Sequence, residues 1–143
     1  MESLSYRTEA RYLRVWTRLA VVFVVVVGLF ALLQAPQATR TYEVAFSHAG
    51  WTALVLFLVS LTNVIVTRLQ VLPAVARRED ASPDSIVAVG YMLALTPVVY
   101  GLTSAVLSAE GWVSAPFSLL SLFAVVDLRL YFGGAYETPW NTE

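Results

Sequence analysis

Neither cysteine nor lysine occurs among the 143 residues, and histidine occurs once, as His48. Without a thiol the chain has no disulfide, no iron–sulfur cluster and no thiolate-bound metal. One imidazole excludes a bis-histidine haem or a histidine-rich metal centre within a single chain. The sequence also has no paired carboxylates inside an apolar stretch, no Ser-His-Asp set, no nucleophile elbow and no glycine-rich phosphate loop. It is read as non-enzymatic, with no catalytic, cofactor-binding or metal-binding residues and no cofactor. Only 13% of residues are charged and the formal net charge is −1, so the basic footprint that phosphate recognition needs is missing and nucleic acid is not an expected partner. All nine cations are arginine. A compositional bias that also favours Ala and Val accounts for this more simply than a demand for guanidinium groups at phosphates.

What the chain does have is long uncharged runs, over residues 19–39, 44–67, 85–109 and 111–126. A helix needs about 20 mostly apolar residues to cross a ~30 Å hydrocarbon core, and the first three runs reach that length. The fourth reaches it only with Asp127 and Arg129 at a membrane boundary. With 58% hydrophobic residues and a mean hydropathy of +0.69, the surface is wrong for water and right for lipid. The expected fold is all-α, a polytopic four-transmembrane-helix bundle forming one domain over residues 1–143. Its spans are predicted at about 18–36, 48–71, 84–108 and 111–132, with an amphipathic interfacial helix over 1–17 and a short cytoplasmic tail over 133–143.

Arginines set the expected orientation. Four precede the first span (Arg7, Arg11, Arg14, Arg18), Arg40 follows it, Arg68, Arg77 and Arg78 surround the second connection, the third connection has none, and Arg129 lies at the end. This alternation satisfies the positive-inside rule with both termini cytoplasmic. The first run is too long for a signal-peptide core, so a retained anchor is expected rather than a cleaved leader. Arg7, Arg11, Arg14 and Arg18 fall within an arc of about 60° on a helix, opposite Leu4, Tyr12, Leu13, Val15 and Trp16. That face is suited to anionic headgroups of the inner leaflet, although the same residues also serve as a plain topogenic flank.

Local chemistry marks the span ends. Pro36 closes the first span, and Pro73 and residues 77–84 form the second connection, with Ser82 or Asp84 capping the third helix. Glu110 and Gly111 make a short turn, so the third and fourth helices are antiparallel neighbours. Trp16, Trp51, Trp112, Tyr131 and Phe132 fall where an interfacial aromatic belt is expected. His48, near Trp51, reads as an interfacial anchor, with external pH sensing as the less economical role.

The faces of the helices suggest how they pack. Gly90, Ala94, Pro97, Gly101 and Ala105 form one narrow stripe of the third span, where another backbone can approach closely. Beside them lies a polar-edged strip of Thr96, Tyr100 and Thr103, and Pro97 is expected to bend the helix with help from Thr96. Ser60, Asn63 and Thr67 share a face of the second span, and Ser114, Ser118 and Ser121 share one of the fourth. Asn63 stands out because an amide deep in a span needs a partner. Arg68 and Asp127 reach similar depth and are expected to pair, the alternative being that both snorkel to headgroups.

Two partial resemblances do not extend to function. Val89, Gly90 and Tyr91 echo a potassium filter, but Met92 replaces the glycine that should follow. Ala76, Arg77, Tyr100, Gly101 and Leu102 resemble the loop and second helix of rotary ATPase proteolipid subunits over less than a fifth of the chain. Leu95 and Thr96 stand where those subunits need an ion-carrying carboxylate, and no Asp or Glu occurs within 85–109. The expected role is therefore an accessory, assembly or stabilising subunit of a membrane complex, in contact with the lipid bilayer of a prokaryotic plasma membrane. The competing expectation is a homo-oligomeric channel or transporter for a small neutral or apolar solute.

Overall fold

The computed structural model describes residues 2–33, 48–78, 82–108 and 111–132. These residues form helix throughout, apart from short turns: α1 (Glu2–Leu33), α2 (His48–Val66), a π-helical turn (Thr67–Val71), α3 (Leu72–Ala76), α4 (Pro83–Ala94), α5 (Thr96–Ser108), a 3₁₀ turn (Gly111–Ser114) and α6 (Ala115–Phe132). Four helical stretches are long and apolar enough to cross a membrane: Arg11–Leu33, Gly50–Val75, Asp84–Leu107 and Gly111–Phe132. This is the architecture of a multi-pass membrane protein. Pro36, Arg40, Glu110 and the tail over 133–143 lie outside the described residues, as does the side chain of His48.

Three boundaries differ from expectation. No break separates an N-terminal helix from the first span at residues 17 and 18, because α1 runs unbroken from Glu2 to Leu33. Nothing in that stretch stops a helix, and Leu13, Trp16 and Ala20 join the same packed cluster. The second span does not end before Pro73. A proline removes one backbone donor and crowds the carbonyl four residues back. Here the wider turn over Thr67–Val71, in which the Leu72 N–H donates to the Thr67 carbonyl, absorbs that misfit and the helix continues to Ala76. The third span is broken at Leu95 as Pro97 demands, but Thr96 is not what relieves the break. The Val98 N–H, one of the orphan donors of the restarted helix, donates to the Ser121 hydroxyl of α6 at 3.1 Å. Ser82 caps α4, its hydroxyl accepting from the Ser85 N–H at 3.2 Å, and Asp84 occupies the first turn.

The third and fourth spans form the centre. Their apolar windows are each 39% buried, against 17% for the first span and 11% for the second. α1 packs on one side of this pair, against α4, α5 and α6, and α2 packs on the other side, mainly against α5. Among the described residues the first and second spans share no packed face. The small-residue stripe makes the central approach possible: Gly90, Ala94, Pro97, Gly101 and Ala105 are all buried. Gly101 is the tightest point, since a Cβ there would lie 2.6 Å from Phe117 Cβ and 3.3 Å from the Ser114 carbonyl oxygen. Phe117 is itself held edge-on by Phe57 of α2, with ring centroids 5.4 Å apart.

Gly101→Ala is expected to cost about 1–3 kcal/mol because Phe117 and the α6 backbone must both give way. Gly28→Ala meets only the rotatable Ser118 hydroxyl at 3.0 Å and should cost less. Thermal unfolding of the two variants in nanodiscs checks the order, and a Gly28→Ala loss equal to that of Gly101→Ala would contradict it.

Candidate functional site

The polar and aromatic groups converge at the end of the bundle where α1 begins and α6 ends. Arg68 lies in the π-helical turn, and its Nε–H donates to Asp127 Oδ2 at 2.8 Å. The two side chains are 23% and 27% exposed, so the pair is partly withdrawn from solvent without being sealed. The guanidinium also lies over the Tyr131 ring, 3.7 Å from its centroid. A planar guanidinium serves both contacts at once: its edge meets the carboxylate and its face meets the ring. The structure thus brings Arg68 and Asp127 together and joins the second and fourth spans, and the π turn shifts the register at the position where Arg68 emerges.

From Tyr131 an aromatic chain runs back across the bundle to the first span. Tyr131 meets Phe132 edge-on at 5.4 Å, Phe132 stacks on Tyr91 at 6.2 Å, Tyr91 stacks on Trp16 at 6.3 Å, and Trp16 meets Tyr12 at 6.2 Å. Tyr91 is fully buried, and its hydroxyl lies 2.7 Å from the Thr17 hydroxyl. Because Thr17 donates its own proton to the Leu13 carbonyl, Tyr91 is the donor in that contact. Trp16, Tyr131 and Phe132 therefore line an internal packing surface rather than an outward belt, whereas Trp51 and Trp112 are exposed at their span ends. Sequence alone missed this chain because an aromatic near a span end has the same signature facing lipid or neighbour. The clue available in the sequence was Tyr91 inside the uncharged run 85–109, where its hydroxyl needs a partner from another helix.

Beside the ion pair is a cavity of about 20 Å³, bordered by Thr67, Arg68, Gly90, Ala94 and Asp127, the size of a single water. The buried Thr67 hydroxyl has no hydrogen-bond partner among the described residues. By contrast, Thr17, Ser60, Thr62 and Thr103 each donate to the carbonyl four residues earlier.

The other polar residues are dispersed. Thr103 is exposed and turned onto its own helix, and Thr96 is half-buried. Tyr100 and Asn63 border a lateral groove of about 580 Å³ between the second and third spans, away from the ion pair. Arg11, Arg14 and Arg18 are exposed on α1, and the side chain of Arg7 lies outside the described residues. Among the described residues no three carboxylates or histidines are close enough to hold a metal ion. Comparison of the chain with protein-family models, with curated proteins and with solved structures finds no match.

Arg68→Gln and Asp127→Asn should each lower stability by about 1–3 kcal/mol, because each leaves a partly desolvated charge without its partner. The charge-swapped double variant should regain part of that loss. Thermal unfolding of all three in one membrane mimetic measures the coupling, and an additive double variant would mean that each group is satisfied separately by headgroups and solvent.

Proposed function

We propose that this chain is a small non-enzymatic integral membrane protein serving as an accessory, assembly or stabilising subunit of a larger membrane complex, in a prokaryotic plasma membrane. One observation carries the reading: among the described residues, three polar contacts each tie one span to another and none of them faces a cavity large enough for a solute. Tyr91 to Thr17 ties the third span to the first, Arg68 to Asp127 ties the second to the fourth, and the Val98 N–H to Ser121 ties the third to the fourth. Such groups in a transporter are commonly arranged around a substrate or coupling ion. Here they join the helices of a bundle whose outer two spans remain largely open to lipid or to neighbouring protein.

The orientation belonging to this proposal has both termini in the cytoplasm. The exposed arginines of α1, with Arg7 in the same register, then lie at the headgroups of the inner leaflet. A homo-oligomeric channel or transporter for a small neutral solute is the competing reading, and it draws on the groove bordered by Asn63 and Tyr100.

Purification in mild detergent should recover the chain with different subunits in fixed stoichiometry. A homo-oligomer alone, together with solute flux in proteoliposomes that Tyr100→Phe reduces, would replace this reading with the channel. The lack of native cysteine makes orientation directly measurable. Ser5→Cys should resist a membrane-impermeant thiol reagent applied to intact cells, and Ala109→Cys should react. The opposite labelling pattern would invert the topology.

A further inference from the structure

The cavity beside the ion pair lies between the second, third and fourth spans, and its polar borders are Thr67, Arg68 and Asp127. The rest of its lining is aliphatic or glycine. At about 20 Å³ it has room for one water-sized particle. Thr67 is 4% exposed, and its hydroxyl is without a hydrogen-bond partner among the described residues. Other threonines of the spans meet this need locally. Thr17, Thr62 and Thr103 each donate to the carbonyl four residues earlier, at 2.8, 2.9 and 3.0 Å. Thr67 opens the π-helical turn and makes no such bond. A buried hydroxyl that stays unpaired costs the full loss of its hydration, so a partner from outside the helix is called for.

The charges around the cavity decide the chemistry of that partner. Arg68 and Asp127 are paired at 2.8 Å, so the lining is neutral as a whole. A cation entering here would meet the Arg68 guanidinium, and an anion would meet the Asp127 carboxylate. Each of those charges already has its opposite beside it, so an added ion gains little and must give up its own hydration. A neutral particle that both donates and accepts suits the lining. Asp127 uses Oδ2 for the Arg68 Nε–H, and its Oδ1 has no hydrogen-bond partner among the described residues. That oxygen can only accept, whereas the Thr67 hydroxyl can donate.

We propose that this cavity is a binding site for a single water molecule, which accepts a hydrogen bond from the Thr67 hydroxyl and donates one to Asp127 Oδ1. The water adds a second polar link between the second and fourth spans, beside the direct bond from Arg68. A bridge of this kind is enthalpically close to a direct hydrogen bond. The two ion-pair side chains are 23% and 27% exposed, which gives water a route in from the end of the bundle. A lipid chain cannot take its place in a volume of this size. The site lies inside one chain, and it is independent of whether that chain serves as an accessory subunit or a channel.

Radiolytic oxidation of the whole chain in nanodiscs tests this, because hydroxyl radicals formed from a bound water attack the side chains next to it. Leu128 is 4% exposed and borders the cavity, whereas Leu72 is 0% exposed and does not. Leu128 should be oxidised severalfold faster than Leu72. Thr67→Val should bring Leu128 down to the level of Leu72, and Thr67→Ser should leave it high. Thermal unfolding gives a readout of opposite sign for the two cases. With the water bridge, Thr67→Val removes a bonded hydroxyl and lowers the melting temperature. A hydroxyl with no partner would instead make the apolar isostere more stable. Replacing sodium by choline in the buffer should change neither readout. Oxidation of Leu128 no faster than that of Leu72, or unaffected by Thr67→Val, overturns the proposal. A rise in melting temperature on Thr67→Val does the same, and a sodium-dependent melting temperature that Thr67→Val abolishes would assign the cavity to a cation instead.

Discussion

Hydrocarbon offers a polar group no alternative partner, and the whole bundle is organised around that constraint. In water, a tyrosine hydroxyl or a serine exchanges one hydrogen bond for another at little net gain. Inside a membrane the competing partner is gone, so a single well-placed polar contact decides which faces meet. Arg68 shows the consequence most fully. Its Nε–H bonds Asp127 and its face covers Tyr131, and through Tyr131 the connection continues by aromatic contacts to Trp16 on the first span. Two outer spans that share no packed face are thereby linked through the two inner ones.

Backbone irregularities serve the same end. Proline is tolerated in a spanning helix when neighbouring groups satisfy the donors and acceptors it disturbs. At Pro97 the neighbour is Ser121, whose hydroxyl takes the Val98 N–H and so turns a local defect into a joint between helices. At Pro73 the misfit is absorbed within the chain by the π-helical turn that also presents Arg68. Close packing at Gly90 and Gly101 completes the centre, where Phe132 and Phe117 fill the space that a Cβ would occupy.

Much of this was legible in advance. The uncharged runs point to four helices long and apolar enough to cross a membrane, the small-residue stripe marks the buried face of the third, and equal depth suggests Arg68 and Asp127 as partners. Less legible was the direction in which ambiguous residues face. Trp16 has the signature of an interfacial anchor, yet it stacks on Tyr91. Thr96 adjoins Pro97 in sequence, but the relieving group comes from Ser121, a residue of the next helix. In each case the missing information was which neighbour stands opposite.

The sequence by itself determined that four helices are long and apolar enough to cross a membrane, because charge and length act one helix at a time against a uniform slab. It also excluded thiol chemistry, and a bis-histidine haem or histidine cluster within one chain, by simple lack of the residues. The tertiary structure decided that the third and fourth spans are central, that the N-terminal segment and first span are one helix, and that Asn63 and Tyr100 border a lateral groove while Tyr91 is fully buried. These outcomes depend on pairing between helices. In nearly uniform apolar sequence, pairing is governed by a few polar contacts and close approaches whose partners lie far apart along the chain.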